Sequence, residues 1–170
     1  MYSVAILTIS DKGARGLRQD KSGEVIRHIL EKPDCQVTEY AIVPDEIEMI
    51  AKKLRRWADR GNIDVVFTTG GTGLAERDVT PEATLTVVDK VVPGLVEAMR
   101  FRSLEKTPMA MLSRATAGVR GKCLIVNLPG SPRAVQECLE VILPAVPHAV
   151  AIIKGEVTEH ETAETGGARS

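Results

Sequence analysis

Two periodicities alternate along the chain. Apolar, largely β-branched runs at residues 4–9, 36–43 and 63–69 read as strands, the third apolar almost to its end, as a strand covered on both faces must be. Between them, apolar residues recur at helical spacing: Val25, Ile26, Ile29 and Leu30, then Ile47, Ile50, Ala51, Leu54, Trp57 and Ala58. Ser22 is placed to cap the first helix, Asp45 with Glu48 three residues on to cap the second, and Gly61 to stop it. Thr80, Pro81 and Glu82 predict a capped helix running to about Asp89, and Pro93-Gly94 a turn before a helix carrying Leu95, Val96 and Met99. Runs at 111–117 and 123–127, separated by Gly118 and Gly121, read as a hairpin or tight crossover. Ser131-Pro132 opens a helix with Val135, Cys138, Leu139 and Ile142 on one face, and a final helix ends near Lys154-Gly155. The pattern predicts one α/β domain over residues 1–155 and a flexible polar tail over 156–170.

Three loops in this pattern share a position. Residues 10–16, 70–80 and 127–131 each follow the end of a strand and lead toward a helix, where open α/β sheets bind ligands. Their glycines let backbone N–H groups approach an anion, and a helix N-terminus adds partial positive charge. One such loop is explained by the turn alone, but three together point to a phosphate-bearing ligand. No lysine follows the glycines at 70–73, so the P-loop pattern fails; Glu76 stands where a dinucleotide fingerprint needs its third glycine. The loop offers instead Arg77, a cation for phosphate oxygens, beside Asp78, a carboxylate able to hold a divalent metal or take a proton.

Composition narrows the partners. The net charge of −1 argues against a protein that grips duplex nucleic acid, and 3% aromatics leaves little for a base-stacking platform. The longest apolar stretch, 141–153, is broken by Pro144, Pro147 and His148 and falls short of the roughly 20 residues that span a bilayer, so no membrane partner is expected. The run at 4–9 lacks the basic flank and cleavage pattern of a secretory signal. Cys35, Cys123 and Cys138 are odd in number and far apart, which suits a reducing cytoplasm and speaks against disulfides or structural zinc.

The run Thr68-Thr69-Gly70-Gly71-Thr72-Gly73, continued through Arg77-Asp78-Val79-Thr80-Pro81, resembles the signature of molybdenum-cofactor biosynthesis proteins of the MogA/MoaB type. The likeness extends to Val92-Pro93-Gly94, to Leu112-Ser113-Arg114-Ala115 and to Asn127-Leu128-Pro129-Gly130-Ser131-Pro132. It implies a three-layer α/β/α domain with a mostly parallel five-stranded sheet, commonly assembled as a homotrimer. It also implies an activity, molybdopterin adenylyltransferase, which joins AMP from ATP to the terminal phosphate of molybdopterin with Mg²⁺ and passes the product to a molybdenum insertase. By the resemblance Asp45 and Asp78 match the essential aspartates and hold the metal. Gly70, Gly71, Thr72 and Gly73 then line the nucleotide and phosphate pocket, with Ser10, Asp11, Ser113, Asn127, Pro129, Gly130 and Ser131 in its lining. The rival reading is a non-catalytic paralogue that binds molybdopterin as a scaffold.

Bland explanations compete at several positions. A cap at Asp45 contributes about 1 kcal/mol with no chemistry at all. Asp78 has no such excuse, because Thr80 is placed to cap the next helix. Thr80 and Ser131 are most simply caps, whereas Arg77 and Arg114 are anion contacts or surface ion pairs. His160 has no partner spacing for a metal, and the cysteines read as small buried hydrophobes.

Overall fold

A computed structural model describes residues 1–157. The tail expected over 156–170 therefore lies, from residue 158 on, outside the described residues, as does His160. Six strands form one sheet in the order β2-β1-β3-β6-β5-β4. They are β1 (Tyr2–Ile9), β2 (Cys35–Val43), β3 (Val65–Thr69), β4 (Lys90–Val91), β5 (Ala117–Arg120) and β6 (Cys123–Leu128). The first four in spatial order run parallel; β5 is antiparallel to β6, and β4 to β5.

Strand alternation builds the three layers. Val4 and Ile6 of β1 face one side, with Val65 and Phe67 of β3 and Leu124 and Val126 of β6. Against them pack α2 (Lys21–Ile29), α5 (Pro93–Leu104), α6 (Pro132–Ile142) and α7 (Val146–Lys154), through Ile26, Met99, Leu139 and Val150 among others. Ala5, Leu7 and Ile9 face the other side, covered by α3 (Ile47–Asp59) and α4 (Thr80–Leu85) through Ile50, Leu54, Trp57 and Ala83. Both sheet faces are thus buried, and the near-continuous apolar strands are the consequence. No single helix among the described residues is long and apolar enough to cross a membrane.

Several local expectations are corrected. The cap of α2 is Asp20, whose carboxylate accepts from Gly23 N at 2.9 Å, while Ser22 lies inside the helix. Within the expected loop at 10–16, residues Asp11–Ala14 form a short helix, α1, capped by Ser10. The stretch expected as a strand at 111–117 begins instead as the end of a 3₁₀ turn, Pro108–Leu112, because Pro108 favours a helical start capped by Thr107. Pro93 is the first residue of α5, not a turn, and α4 ends at Leu85. The sixth strand, β4, is a two-residue edge strand, too short to leave a periodic mark. Ser131 does cap α6, and β5 and β6 do form a hairpin across Gly121.

Candidate active site

The order β2-β1-β3 makes β1 the switch point of the sheet, with chain connections departing to either side. The segments leaving β1 and β3 flank the resulting crevice, and the segment leaving β6 closes its far side. A cavity of about 520 Å³ opens there. Of the expected residues it is lined by Ser10, Asp45, Gly70, Gly71, Asp78 and Gly130.

The glycine loop has a backbone that only glycine adopts readily: Gly70 and Gly71 have φ of 95° and 67°. A methyl group on Gly70 would collide with the Ile9 carbonyl oxygen, and one on Gly71 with the Thr80 hydroxyl. Hydroxyl groups fix the surrounding carbonyls. Thr80 Oγ1 donates to Gly70 O at 2.9 Å, Thr69 Oγ1 to Pro129 O at 2.7 Å and Ser22 Oγ to Gly130 O at 2.6 Å. With those acceptors engaged, the loops are held rigid beside the cavity without drawing on their own N–H donors. Thr80, expected as a cap, is the first residue of its helix, and its hydroxyl serves the glycine loop instead.

Asp45 makes no cap hydrogen bond either; α3 starts after Glu46 with no side-chain cap. Instead Asp45 Oδ2 accepts from Asp11 N at 2.8 Å, and Asp11 Oδ1 accepts from Asp45 N at 3.1 Å. Arg77 grips Asp11 bidentately, Nε to Oδ2 at 2.7 Å and Nη2 to Oδ1 at 2.8 Å, which holds the half-buried Asp11 carboxyl below its ordinary range. Burial pushes the Asp45 carboxyl up, reinforced by the charges of Asp11 and Asp78 and opposed by the Asp11 N–H and Arg77. Asp78 Oδ2 accepts from Ala75 N at 3.0 Å, closing its own loop.

The remaining expected residues lie elsewhere. Thr72, Gly73, Ser113 and Pro129 line a second, mainly apolar cavity of about 290 Å³ between α5, α6 and the 3₁₀ turn. The loop is thus divided, with Gly70 and Gly71 at the first cavity and Thr72 and Gly73 at the second. Asn127 is fully buried and its side chain is spent in the core: Nδ2 donates to Thr68 Oγ1 and Thr84 Oγ1, and Oδ1 accepts from Thr116 N. Ser131 is exposed and occupied as a cap. Sequence reasoning missed Asp20, Arg18 and Lys21 in the lining of the larger cavity. Asp20 was legible as a cap candidate two residues before Ser22. Its Oδ2 accepts from both Thr8 Oγ1 and Tyr40 Oη at 2.5 Å, so its charge is absorbed by protein donors. Arg18 and Lys21 place two cations in a lining that also carries Asp45 and Asp78.

Among the described residues no three His, Cys, Asp or Glu side chains gather as a metal cage. Asp45 and Asp78 present two hard carboxylates on either side of the glycine loop, with added methyls on Gly71 and Gly73 falling 3.4 Å from Asp45 Oδ1 and 2.8 Å from Asp78 Oδ2. That donor set fits Mg²⁺, which takes one or two carboxylates and fills its shell from substrate oxygens and water. It does not fit zinc.

A switch-point crevice, a glycine loop and flanking carboxylates define an α/β protein built to bind phosphate-bearing ligands. The chain belongs to the molybdenum cofactor biosynthesis family whose domain is described as "Probable molybdopterin binding domain", matched over residues 5–148. It is 46% identical over 154 residues to a molybdopterin adenylyltransferase of Helicobacter pylori, covering 89% of this chain and 88% of that one. To the molybdopterin adenylyltransferase of Escherichia coli it is 36% identical over 170 residues, covering 92% and 87%. The crystal structure of the molybdopterin biosynthesis enzyme MoaB from Thermus thermophilus superimposes with a TM-score of 0.86 at 55% identity, over 91% of this chain and 98% of that one.

Proposed function

We propose that this protein is a molybdopterin adenylyltransferase, which acts in molybdenum cofactor biosynthesis by moving AMP from ATP to the terminal phosphate of molybdopterin. The observation that carries the reading is the larger cavity, where a glycine loop with two positive-φ residues lies between Asp45 and Asp78. In the reaction an oxygen of the pterin phosphate forms a bond to the α-phosphorus of ATP. The bond from that phosphorus to the bridging oxygen breaks, and pyrophosphate leaves with the electron pair.

Both reactants are anions, so the protein's task is to align them and offset their repulsion. The glycine loop and the α2 N-terminus offer N–H groups, and Arg18 and Lys21 offer full charges. Asp45 and Asp78 orient the reacting phosphates and are the residues that would hold Mg²⁺. Bound there, Mg²⁺ neutralises phosphate charge. The loop continues from Gly70 and Gly71 at the larger cavity to Thr72 and Gly73 at the apolar one, which suits a reaction whose two substrates meet at one loop.

The same reading makes the protein cytoplasmic, where ATP is plentiful, and gives its product to an insertase. It also favours assembly of several copies, a homotrimer by family resemblance: Phe101, Met109 and Met111 are 73%, 62% and 65% exposed on neighbouring turns. The test is incubation with ATP, Mg²⁺ and molybdopterin. Pyrophosphate and adenylyl-molybdopterin are expected in equal amounts; binding of molybdopterin with no pyrophosphate would establish the scaffold reading instead.

A further inference from the structure

Arg114 stands between two readings in the sequence, an anion contact and a surface ion pair, and the structure gives it a third role. Its Nε donates to Gly73 O at 2.7 Å and its Nη2 to Asp78 O at 2.6 Å. Nη1 pairs with the Glu82 carboxylate in the first turn of α4, strongly enough to hold that carboxyl low against the effect of burial. The main-chain N of Arg114 donates to Thr72 O at 2.9 Å. One residue therefore ties down the last glycine of the loop, the carboxylate-bearing residue five positions on, and the helix that follows.

The segment between those ties has little else to hold it. Leu74 is 66% exposed, and Ala75, Glu76 and Arg77 are exposed as well, so no apolar side chain among them anchors it in the core. Its other links are the internal turn between Ala75 and Asp78 and the Arg77–Asp11 pair at its edge. An arginine fork suits this work, because its donors point in fixed directions toward several acceptors at once; a lysine supplies one flexible point charge.

We infer that Arg114 is a positioning residue, which holds residues 73–78 so that Asp78 and the glycine loop meet the reacting phosphates in register, without itself touching substrate. The inference rests on the adenylyltransferase reading. A displacement of about 1 Å at a reacting group costs about 100-fold in rate. Arg114→Ala is accordingly expected to lower kcat about 100-fold, to leave KM for ATP within about threefold and to shift Tm by only a few degrees. Arg114→Lys should recover a minor part of the rate. Added guanidinium ion should partly restore kcat in Arg114→Ala and do nothing for Asp78→Asn.

Normal kcat in Arg114→Ala overturns the inference. A raised KM for ATP at unchanged kcat overturns it in favour of a direct anion contact, and loss of kcat together with a collapsed Tm and no guanidinium rescue reduces Arg114 to a stability residue. Hydrogen exchange of amides 73–78 in the free protein provides a measure independent of turnover. Faster exchange confined to this segment in Arg114→Ala supports the brace even where the wild type releases no pyrophosphate, a result that would sink the activity alone; unchanged exchange overturns the brace.

Discussion

Asp45 shows how one residue type serves two purposes in the same sequence pattern. An aspartate three residues before a glutamate is a capping signature, yet here the carboxylate turns to Asp11 N and the cavity, leaving α3 uncapped. Nothing local distinguishes the two fates, since the partner, at the start of α1, lies 34 positions away. Asp45→Asn should therefore keep the fold and lose about 100-fold or more in adenylyl transfer, measured by pyrophosphate release. Its raised pKa gives a further signature. Asp45 is protonated at acid pH, so kcat/KM should rise with pH along a limb lying above the ordinary aspartate range, a limb absent from the asparagine variant. Because the folded pKa is the higher one, wild-type stability relative to Asp45→Asn should decline as pH rises through it. Asn127 is the opposite case: the family motif marks it for the pocket, and its geometry places it in the core. Asn127→Ala strands the Thr116 N–H and takes a donor from the Thr68 and Thr84 hydroxyls, the latter keeping its bond to Thr80 O, and should cost about 2 kcal/mol or more in urea unfolding.

At the level of elements, the strong periodicities were legible and the ends were not. The amphipathic faces of α3 and α6 match the core residues read from spacing from Ile50 to Ala58 and from Val135 to Ile142, while Ile47, read on the same face, is exposed in the first turn of α3. Errors fall where a hydroxyl or carboxylate has two acceptable partners. Ser22 and Thr80 have the chemistry of caps but bond loop carbonyls, because Asp20 and the backbone at Val79 already start those helices. The glycine loop was visible as composition; its strained φ values and the wall at Ile9 were not. Gly70→Ala combines a positive φ with a backbone collision and should destabilise by about 3 kcal/mol in denaturant titration.

Over the whole molecule, the sequence carried the layer order but not the strand order, because β1-β3 and β3-β6 neighbours are chosen by long-range packing. Distant parts are also joined at the rim. Asp64, before β3, accepts from Ser3 N at 2.8 Å and Lys154 Nζ at 2.8 Å, fastening the end of α7 to the sheet. Burial raises its pKa, but Lys154 and Ser3 outweigh it and the net shift is down. This stabilisation is complete above the unfolded aspartate pKa and is lost as pH falls through the lower folded value, so Asp64→Asn should flatten the acid side of a Tm-against-pH curve. Assembly is tested at the same scale. A Phe101→Glu/Met111→Glu double variant should sediment as a smaller species than the wild type while keeping its far-ultraviolet circular dichroism.

The glycine loop passes from the polar to the apolar cavity, Gly70 and Gly71 lining the first and Thr72 and Gly73 the second. A continuous loop of that kind cannot yield to a ligand at one end without changing the room at the other. The two chambers then form a single thermodynamic system: whatever factor the first ligand imposes on the affinity of the second, the second must return to the first. Calorimetric titration of each substrate in the presence and absence of the other should give one coupling factor in both orders, and independent affinities would mean the loop is rigid.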